Sequence, residues 1–496
     1  MCRPDAPERA RRARRDPGRA SGGTRGDDRA GSGVDVSGPL ARRGVGPRTG
    51  AHRRLPPGAE PPAATGPPPH HIRTTDDRGE QLMDVITTGG LPAATQNTGV
   101  EVIERKGSGH PDTLADGMAE AISRAYSRYC LDHFGAILHH NTDKLALLGG
   151  AADVTFGRGE LTAPIHVLVN GRITQALGDR RIPVEDIVTT TAREFLGGAL
   201  PLLDTMKWVD VRPRLTQASS PGAVTDPVGV EREASRQRWF APRTLDDLAE
   251  RHRLFANDTS AGVGYAPLGP GERLAMGIES HLSSEAFRAE HPYFGTDIKL
   301  MVVRNGTHVH LTACVPQIAR ETPDLDAYVA RRALTRELIT GLVGQITPGH
   351  HVSVSVNTRD VDARPELYLT ATGSSIESGD EGVVGRGNRA NGLISMLRPW
   401  SAEGVSGKNP VYHVGKLYNL AATEAARRLN EETGLEVAVA LVSQSGRDLA
   451  DPWQAVVQTS GPTPVPTADA RRVLTDVMGD LEDLRERLLT GKLATA

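Results

Sequence analysis

Apolar residues recur at regular spacings along most of this chain. After Asp112 the apolar residues recur every three or four positions, at Leu114, Met118 and Ile122, which predicts an amphipathic helix. The same spacing predicts helices at about 183–197, at 324–345, from behind Pro410 to about 429, and from 467. Shorter runs in which apolar and polar residues alternate predict strands. One predicted strand begins at 100 and leads into a glycine-rich turn. The others lie at 136–150, 351–357, 366–372, 436–443 and about 453–459.

Two Asn-Gly pairs lie between alternating runs and predict hairpins. Asn170-Gly171 would turn a hairpin within 164–176, and Asn305-Gly306 one within 295–315. Hairpins mixed with long connecting helices predict an α+β fold of two or three sheet-and-helix units, without a clear linker between them.

The first 83 residues differ from everything that follows. They are rich in Arg, Pro, Gly and Asp and have no apolar periodicity, so the composition predicts a disordered extension. A basic arm for nucleic acid is one interpretation, but aspartates interrupt it and no aromatic residue interleaves. The apolar stretch of a secretory signal is missing as well. We favour a start codon assigned too early, with Met83 as the true beginning, so that the folded body spans 84–496.

Composition narrows the classes of function. A length of 496 residues allows two to four domains, and a net charge of −3 gives no overall field that would attract nucleic acid or an anionic membrane. No run of 18 apolar residues predicts a membrane span. Aromatic residues make up 4%, which disfavours base stacking, and three scattered cysteines exclude a disulfide framework or a zinc site. We therefore expect a reducing compartment, the cytoplasm.

The segment 379–416, hereafter the glycine stretch, carries the strongest chemical signal. It reads GDEGVVGRGNRANGLISMLRPWSAEGVSGKNPVYHVGK and combines eight glycines with basic side chains. Glycine lets a backbone approach a ligand closely, and guanidinium and ammonium groups bind phosphate oxygens. Asp380 and Glu381 at its entrance suit Mg²⁺ shared with phosphate. The alternative is a solvated linker; neither a Walker loop nor a dinucleotide fingerprint is present.

Further candidates lie elsewhere along the chain. His110 and Asp112 flank Pro111 at the predicted start of a helix, where a phosphate or metal-phosphate site and a simple helix cap are both reasonable. Asp143 beside Lys144 fits either a pocket or an ion pair. Asp258 precedes a predicted glycine-rich turn and fits either a functional carboxylate or an Asx-turn.

The predicted hairpin at 295–315 carries another pair. Asp297 and Lys299 are two residues apart, so they share one face of its first strand. On an apolar strand the Lys299 ammonium requires a ligand phosphate or a structural carboxylate.

These segments together resemble the methionine adenosyltransferases (S-adenosylmethionine synthetases) of the archaeal type. The matching blocks, in the family's order between about 100 and 451, are ERKGSGHPD, ILHHNTDK, ANDTSAGVGYAPL, DIKLM, GDEGVVGRGNRANGLI and RPWSAEGVSGKNPVYHVGKLYN. The resemblance implies three similar sheet-and-helix domains about a pseudo-threefold axis and a homodimer with active sites between the subunits. It also implies that ATP and L-methionine form S-adenosylmethionine, pyrophosphate and phosphate, with Mg²⁺ and often K⁺.

The resemblance implies roles for individual residues. His110 would contact the phosphate next to the breaking bond and Asp112 would hold Mg²⁺. The implied catalytic set is His110, Lys299, Arg386 and Lys408. Nucleotide and polyphosphate contacts are implied for Asp297, Asp380, Arg389, His413 and Lys416. Methionine contacts are implied for Asp258 and Asp143.

Several positions depart from the family pattern. Glu381 and Val383 replace an acid and a hydroxyl, Tyr412 stands where asparagine is customary, and 216–219 lacks the family's loop glycines. Three alternatives to the adenosyltransferase therefore stay open. They are an adenosyltransferase for a methionine analogue, a catalytically weak regulatory paralogue, and a phosphotransferase or NTPase.

Overall fold

A computed structural model describes residues 83–93, 99–218, 238–248 and 253–493. The predicted disordered extension lies outside the described residues, apart from Met83, which is buried in a hydrophobic core. The described helices are α1 (Pro111–Phe134), α2 (Val184–Ala199), α3 (Thr205–Trp208), α4 (Pro270–Ser283), α5 (Glu285–Glu290), α6 (Leu325–Ile346), α7 (Val414–Thr433), α8 (Thr467–Gly479) and α9 (Leu481–Leu489). No helix in these ranges is both long enough and apolar enough to cross a membrane.

Most of the strands form three main sheets, and the order of the strands within each sheet differs from their order along the chain. The first ten strands are β1 (Asp84–Leu91), β2 (Val100–Lys106), β3 (His140–Asn141), β4 (Ala146–Leu148), β5 (Ala151–Thr155), β6 (Arg158–Ala163), β7 (Ile165–Ile173), β8 (Ala176–Leu177), β9 (Arg180–Arg181) and β10 (Val209–Thr216). The later strands are β11 (Ala261–Ala266), β12 (Lys299–Asn305), β13 (His308–Cys314), β14 (Gln317–Ile318), β15 (His351–Val356), β16 (Leu369–Thr370), β17 (Gly382–Val383), β18 (Ile394–Ser395), β19 (Val437–Val442) and β20 (Gln454–Ser460).

Each main sheet is covered by a pair of helices and has its own hydrophobic core. Sheet I has the order β10-β7-β4-β17, with β3 also paired to β7, and packs against α1 and α2. Sheet II has the order β15-β13-β12-β2-β18 and packs against α4 and α6. Sheet III has the order β1-β20-β19-β11 and packs against α7 and α8. The predicted α+β class of sheet-and-helix units is confirmed, while the pseudo-threefold arrangement and the domain boundaries stay predictions.

The chain passes repeatedly between these sheets. The glycine stretch contributes β17 to sheet I, where it pairs with β4, and then β18 to sheet II, where it pairs with β2. Strand β2 leads directly into α1, which covers sheet I. Residues far apart in sequence are thereby brought to the N-terminal end of α1.

The hairpin predicted at Asn170-Gly171 is wrong. Strand β7 runs through this pair without turning, and Asn170 and Gly171 lie opposite Arg214 and Leu215 of the parallel strand β10. The Asn-Gly pair is only a local turn signal. Pairing with β10, a segment about forty residues away, keeps β7 extended through it. The hairpin predicted at Asn305-Gly306 is confirmed between β12 and β13.

Two other segments differ from their predictions. The strand predicted at 136–150 is divided into β3 and β4. The glycine-rich turn expected after Asp258 is the strand β11, which packs against α7. Glycine is required there because a Cβ added at Gly264 would collide with the backbone of Thr423.

Candidate active site

An open cleft lies at the end of sheet II, beside the first residues of α1. Its volume is about 730 Å³, and its lining includes four residues predicted from the sequence: His110, Asp297, Lys299 and Asp380. His110 is the N-cap of α1, Asp297 lies two residues before β12, and Lys299 begins that strand. Sheet pairing and the helix start thus bring His110 together with Asp297 and Lys299, which lie nearly 190 positions later in the chain.

His110 has a defined tautomer when it is neutral. Its Nδ1 accepts a hydrogen bond of 3.1 Å from the backbone N–H of Asp112, so the ring proton of the neutral form belongs on Nε2. Burial lowers the pKa of His110, although the nearby Asp297 carboxylate opposes this effect. The neutral form of His110 therefore presents Nε2–H as a hydrogen-bond donor, while its Nδ1 lone pair is occupied by the N–H of Asp112.

Asp297 and Asp380 share one hydroxyl group. The Oδ2 atom of Asp297 accepts hydrogen bonds from Ser375 N at 2.8 Å and Ser375 Oγ at 2.6 Å. The same Oγ lies 2.9 Å from Asp380 Oδ2. Burial raises the pKa of Asp297, with His110 and Ser375 opposing the increase. Two carboxylates close together in a cleft are suitable oxygen ligands for Mg²⁺ when phosphates and water complete its coordination.

Lys299 is a partly exposed cation of the cleft. Its Nζ lies 3.2 Å from Glu104 Oε1 on the neighbouring strand β2, and its side chain is 43% exposed. Since an ammonium group has three donors, the Glu104 contact leaves donors for an anion in the cleft. Both partners that the sequence allowed for Lys299, a structural carboxylate and a ligand phosphate, are therefore compatible with this geometry.

Asp112 lies beside the cleft and is already hydrogen bonded. Its Oδ2 accepts from Lys106 Nζ at 2.8 Å and its Oδ1 from Val383 N at 3.0 Å. Burial acts to raise the pKa of Asp112, but these two bonds outweigh it and hold the pKa below its ordinary value. No group of three His, Cys, Asp or Glu side chains suited to a metal occurs in the described ranges. A Mg²⁺ ion at Asp112 would have to share the carboxylate with Lys106, so Asp297 and Asp380 fit the ion better.

Asp116, one turn further along α1, holds the glycine stretch. Its Oδ1 accepts from Gly385 N at 2.8 Å and its Oδ2 from Gly387 N at 3.0 Å. Burial raises the pKa of Asp116 to about 6 despite these bonds. Lys106 Nζ also donates to the carbonyl of Arg386 at 2.6 Å. The backbone around Arg386 is thus fixed from both sides, while its exposed guanidinium has no partner among the described residues.

The stretch lies very close to α1. A Cβ added at Gly382 would collide with the carbonyl of Pro111, so this close contact requires glycine. The structure does not bring Arg389 to the cleft: its Nη2 donates to the carbonyls of Gly385 and Gly387 at 2.7 and 2.8 Å. In this chain Arg389 supports the shape of the loop.

A second cluster surrounds Lys408, which is buried. Its Nζ lies 3.0 Å from Glu403 Oε2 and 3.5 Å from Asp143 Oδ2, and it donates to the carbonyl of Gly404 at 2.6 Å. Asp143 also forms an ion pair of 2.6 Å with Lys144, so both alternatives for Asp143, a pocket group and an ion pair, fit this position. Burial acts to raise the pKa of Asp143, but Lys408 and Lys144 lower it below its ordinary value.

His413 and Lys416 complete this cluster at the start of α7. His413 is the N-cap, with Nδ1 accepting from Gly415 N at 3.2 Å, and burial lowers its pKa to about 3. Lys416 is fully buried, and its Nζ lies 2.7 and 2.6 Å from the two carboxylate oxygens of Glu120. Burial lowers the pKa of Lys416, with Glu120 opposing the change. Lys416 therefore has a structural partner and does not face the cleft.

Asp258 lies near the same helix start. The preceding residue, Asn257, accepts a hydrogen bond from Val414 N at 3.0 Å. The Asp258 side chain is exposed and accepts from Thr259 N at 2.7 Å, which is a local turn contact. Asp143 is thus part of the second cluster, whereas Asp258 lies near the start of α7 with only a local side-chain contact.

The glycine stretch connects the cleft to the second cluster. Glu120 is ten residues after His110 on α1, about 15 Å along the helix axis. Between them, a Cβ at Gly404 would lie 3.2 Å from the Cα of Gly385, which precedes Arg386, and Gly404 is the carbonyl partner of Lys408. The implied catalytic residues thus divide between two clusters on either side of one loop.

Sequence reasoning missed the residues that fix this loop, namely Lys106, Asp116, Glu120 and Ser375. A signal was present for two of them. Asp112, Asp116 and Glu120 are four residues apart, so they form one acidic face of the predicted helix α1. The periodicity shows the face, but it does not show that backbone amides from about 270 residues away would occupy it.

Comparisons with known proteins identify the family. The model of the S-adenosylmethionine synthetase (AdoMet synthetase) family matches residues 87–226 and 241–492. The chain belongs to this family. The S-adenosylmethionine synthase of Haloarcula marismortui is 39% identical over 422 residues, which cover 84% of this chain and 99% of the relative. That of Pyrobaculum aerophilum is 42% identical over 359 residues, covering 71% of this chain and 84% of the relative.

The resemblance expected from the sequence blocks is therefore confirmed. Among solved structures, an S-adenosylmethionine synthetase from Campylobacter jejuni matches with a TM-score of 0.49 and 14% identity, covering 78% of this chain and 90% of that chain. A likeness at this level carries no argument, so membership in the synthetase family rests on the sequence comparisons.

Proposed function

We propose that this chain is a methionine adenosyltransferase, which converts ATP, L-methionine and water to S-adenosylmethionine, pyrophosphate and phosphate. The observation that carries the proposal is the cleft at the start of α1, where the His110 donor and the Lys299 ammonium face the carboxylates of Asp297 and Asp380. Family membership and the relatives' names support the same activity.

The proposed chemistry suits these groups because it needs no general base. The methionine sulfur is already nucleophilic and attacks C5′ of ATP; the S–C5′ bond forms as the C5′–O bond breaks. The electron pair of the broken bond leaves with the tripolyphosphate, which is then hydrolysed. Stabilising the charge that develops on a leaving group is commonly the largest catalytic contribution. Nε2–H of His110 and Nζ of Lys299 would donate to that charge.

Mg²⁺ would add positive charge on the phosphates, with Asp297 and Asp380 as its protein ligands. The alternative that the resemblance implies, in which Asp112 holds Mg²⁺, stays a proposal, as does a requirement for K⁺. If Asp112 holds the ion, Asp297 and Asp380 would contact the nucleotide. If Asp297 and Asp380 hold the ion, Asp112 would act by keeping Lys106 and the N–H of Val383 in place at the start of α1.

The second cluster would complete an active site shared between two subunits. Lys408 would contribute charge to the polyphosphate, and Asp143 and Asp258 would bind the methionine amino group. His413 and Lys416 would support this region from the start of α7. We propose a homodimer because the implied catalytic residues divide between two clusters of one chain. A cytoplasmic location would suit an enzyme that uses ATP and methionine.

The test is mass spectrometry of the products formed by the full chain with ATP, methionine, Mg²⁺ and K⁺. A sulfonium product together with phosphate and pyrophosphate supports the proposal. Phosphate without a sulfonium product indicates the phosphotransferase or NTPase alternative. Failure to form S-adenosylmethionine at saturating ATP and methionine supports the weak paralogue, and a higher kcat/KM for an analogue than for methionine supports the analogue-specific enzyme.

A further inference from the structure

One wall of the cleft is a short turn, 357–360, that no sequence signal singled out. Asn357 begins this turn with a φ of +48°, a left-handed conformation that is uncommon for residues other than glycine. Its side chain fixes the conformation: Oδ1 accepts from Val315 N at 2.8 Å, and Nδ2 donates to Val315 O and to Tyr328 Oη, each at 3.0 Å.

The other end of the turn is fixed by Asp360. Its Oδ2 accepts from Tyr328 Oη at 2.8 Å and from Arg332 Nη1 at 2.9 Å. Its Oδ1 accepts from Tyr368 N at 3.2 Å. Both ends of the turn are thus held by one buried network, and Thr358 and Arg359 are exposed between them on the cleft wall.

Arg359 differs from the arginines near it. Arg332 forms ion pairs with two carboxylates, Arg331 donates to Glu321 O at 2.8 Å, and Arg364 lies 3.3 Å from the carboxylate of Glu366. Arg359 lines the cleft together with Asp360 and Glu366, and its guanidinium has no partner among the described residues. The Asp360 carboxylate is already occupied by the network, so it does not neutralise Arg359.

We propose that Arg359 is a further anion-binding residue of the cleft and holds the polyphosphate chain of the nucleotide. The inference rests on the proposed function and extends it by one residue. A guanidinium presents forked donors that match phosphate oxygens, and the fixed turn reduces the ordering cost of binding. Arg359 and Lys299 would then contact one polyanion from different walls of the same cleft.

Binding of inorganic tripolyphosphate to the full chain by isothermal titration calorimetry tests the inference directly. In Arg359→Ala we expect the Kd for tripolyphosphate and the KM for ATP to rise about tenfold, as for one lost charged hydrogen bond. We expect the KM for methionine to change less than twofold. Arg359→Lys keeps the charge but loses the fork, so its effect should be intermediate. Arg336→Ala on α6 is the matched control, because Arg336 is also exposed and has no side-chain partner among the described residues; this variant should match the unsubstituted chain.

Other outcomes overturn the inference. An unchanged tripolyphosphate Kd in Arg359→Ala means that Arg359 does not hold the polyphosphate. A raised KM for methionine with an unchanged KM for ATP assigns the guanidinium to the methionine carboxylate instead. If the unsubstituted chain binds tripolyphosphate but forms no S-adenosylmethionine, the proposed function fails, and the calorimetric comparison still decides the role of Arg359.

Discussion

The two ring nitrogens of His110 have separate tasks. Nδ1 caps α1 by accepting from Asp112 N, and the neutral ring leaves Nε2–H as a donor towards the cleft. A sequence can reveal the cap, because Pro111 follows at the first helical position. It cannot reveal that burial keeps the ring neutral, since the surrounding groups come from other segments.

Substitutions at His110 can separate the cap from the donor. Asparagine is a good N-cap residue, so His110→Asn should keep the free energy of unfolding within about 0.5 kcal/mol, whereas His110→Ala should lose about 1 kcal/mol. Both substitutions remove the Nε2–H donor, and kcat should fall about 100-fold in each. Urea unfolding and product formation measure the two effects. If kcat stays near normal in His110→Asn, His110 has only a structural role.

His413 contributes to the pH dependence of the free energy of unfolding, and its lowered pKa determines the sign of that contribution. The pKa is about 3 in the folded chain, because burial disfavours the charged ring, against an ordinary value of 6.5. The unfolded chain therefore takes up a proton below pH 6.5 while the folded chain does not. Above pH 6.5 the His413 ring is neutral in both states and has no effect on the pH dependence of stability. As the pH decreases from 6.5 towards 3, protonation of the unfolded chain lowers the free energy of unfolding.

The variant His413→Asn should reduce this acid sensitivity. Asparagine can cap α7 without titrating, so between pH 6 and pH 5 the variant should lose about 1 kcal/mol less free energy of unfolding than the unsubstituted chain. The other titrating groups are common to both proteins, so the difference between the two pH slopes isolates His413. Equal slopes from urea unfolding at the two pH values would contradict the assignment.

At the scale of elements, the acidic face of α1 and the glycine stretch form one unit. Asp112, Asp116 and Glu120 accept backbone N–H groups from Val383, Gly385, Gly387 and Gly407. Both elements were predicted, because helix periodicity and glycine content are local signals. Their contact was not, because local patterns contain no information about which segment returns to a helix face. The false hairpin at Asn170-Gly171 has the same cause.

Asp116→Asn tests whether this contact positions Arg386. An asparagine side chain has a single acceptor oxygen, so either Gly385 N or Gly387 N loses its partner, at a cost of about 1–3 kcal/mol. We expect kcat to fall about tenfold and amide hydrogen exchange to become faster at one of these glycines. Asp132→Asn, at an exposed position on the same helix, is the control and should alter neither quantity. Unchanged exchange at both glycines would show that Asp116 does not hold the loop.

At the scale of the whole folded body, polar contacts connect units whose hydrophobic cores are separate. Glu120 belongs to α1 over sheet I, and Lys416 belongs to α7 over sheet III. Their side chains are 7% and 0% exposed. The sequence predicted several sheet-and-helix units correctly, since each unit has its own periodic pattern. It could not predict this pairing, because a single Lys or Glu on a helix has many possible partners.

The Glu120–Lys416 pair should contribute to stability mainly through the cost of breaking it. Glu120→Gln leaves the Lys416 ammonium buried without a counter-ion, and the free energy of unfolding should fall by about 3–5 kcal/mol. In the double variant Glu120→Gln/Lys416→Met, the glutamine oxygen can still accept from Gly407 N and methionine replaces the lysine stem. The double variant should therefore recover at least about 2 kcal/mol of that loss. Urea unfolding of the three proteins measures both values, and a double variant no more stable than Glu120→Gln alone would mean that the buried charge is not the cause.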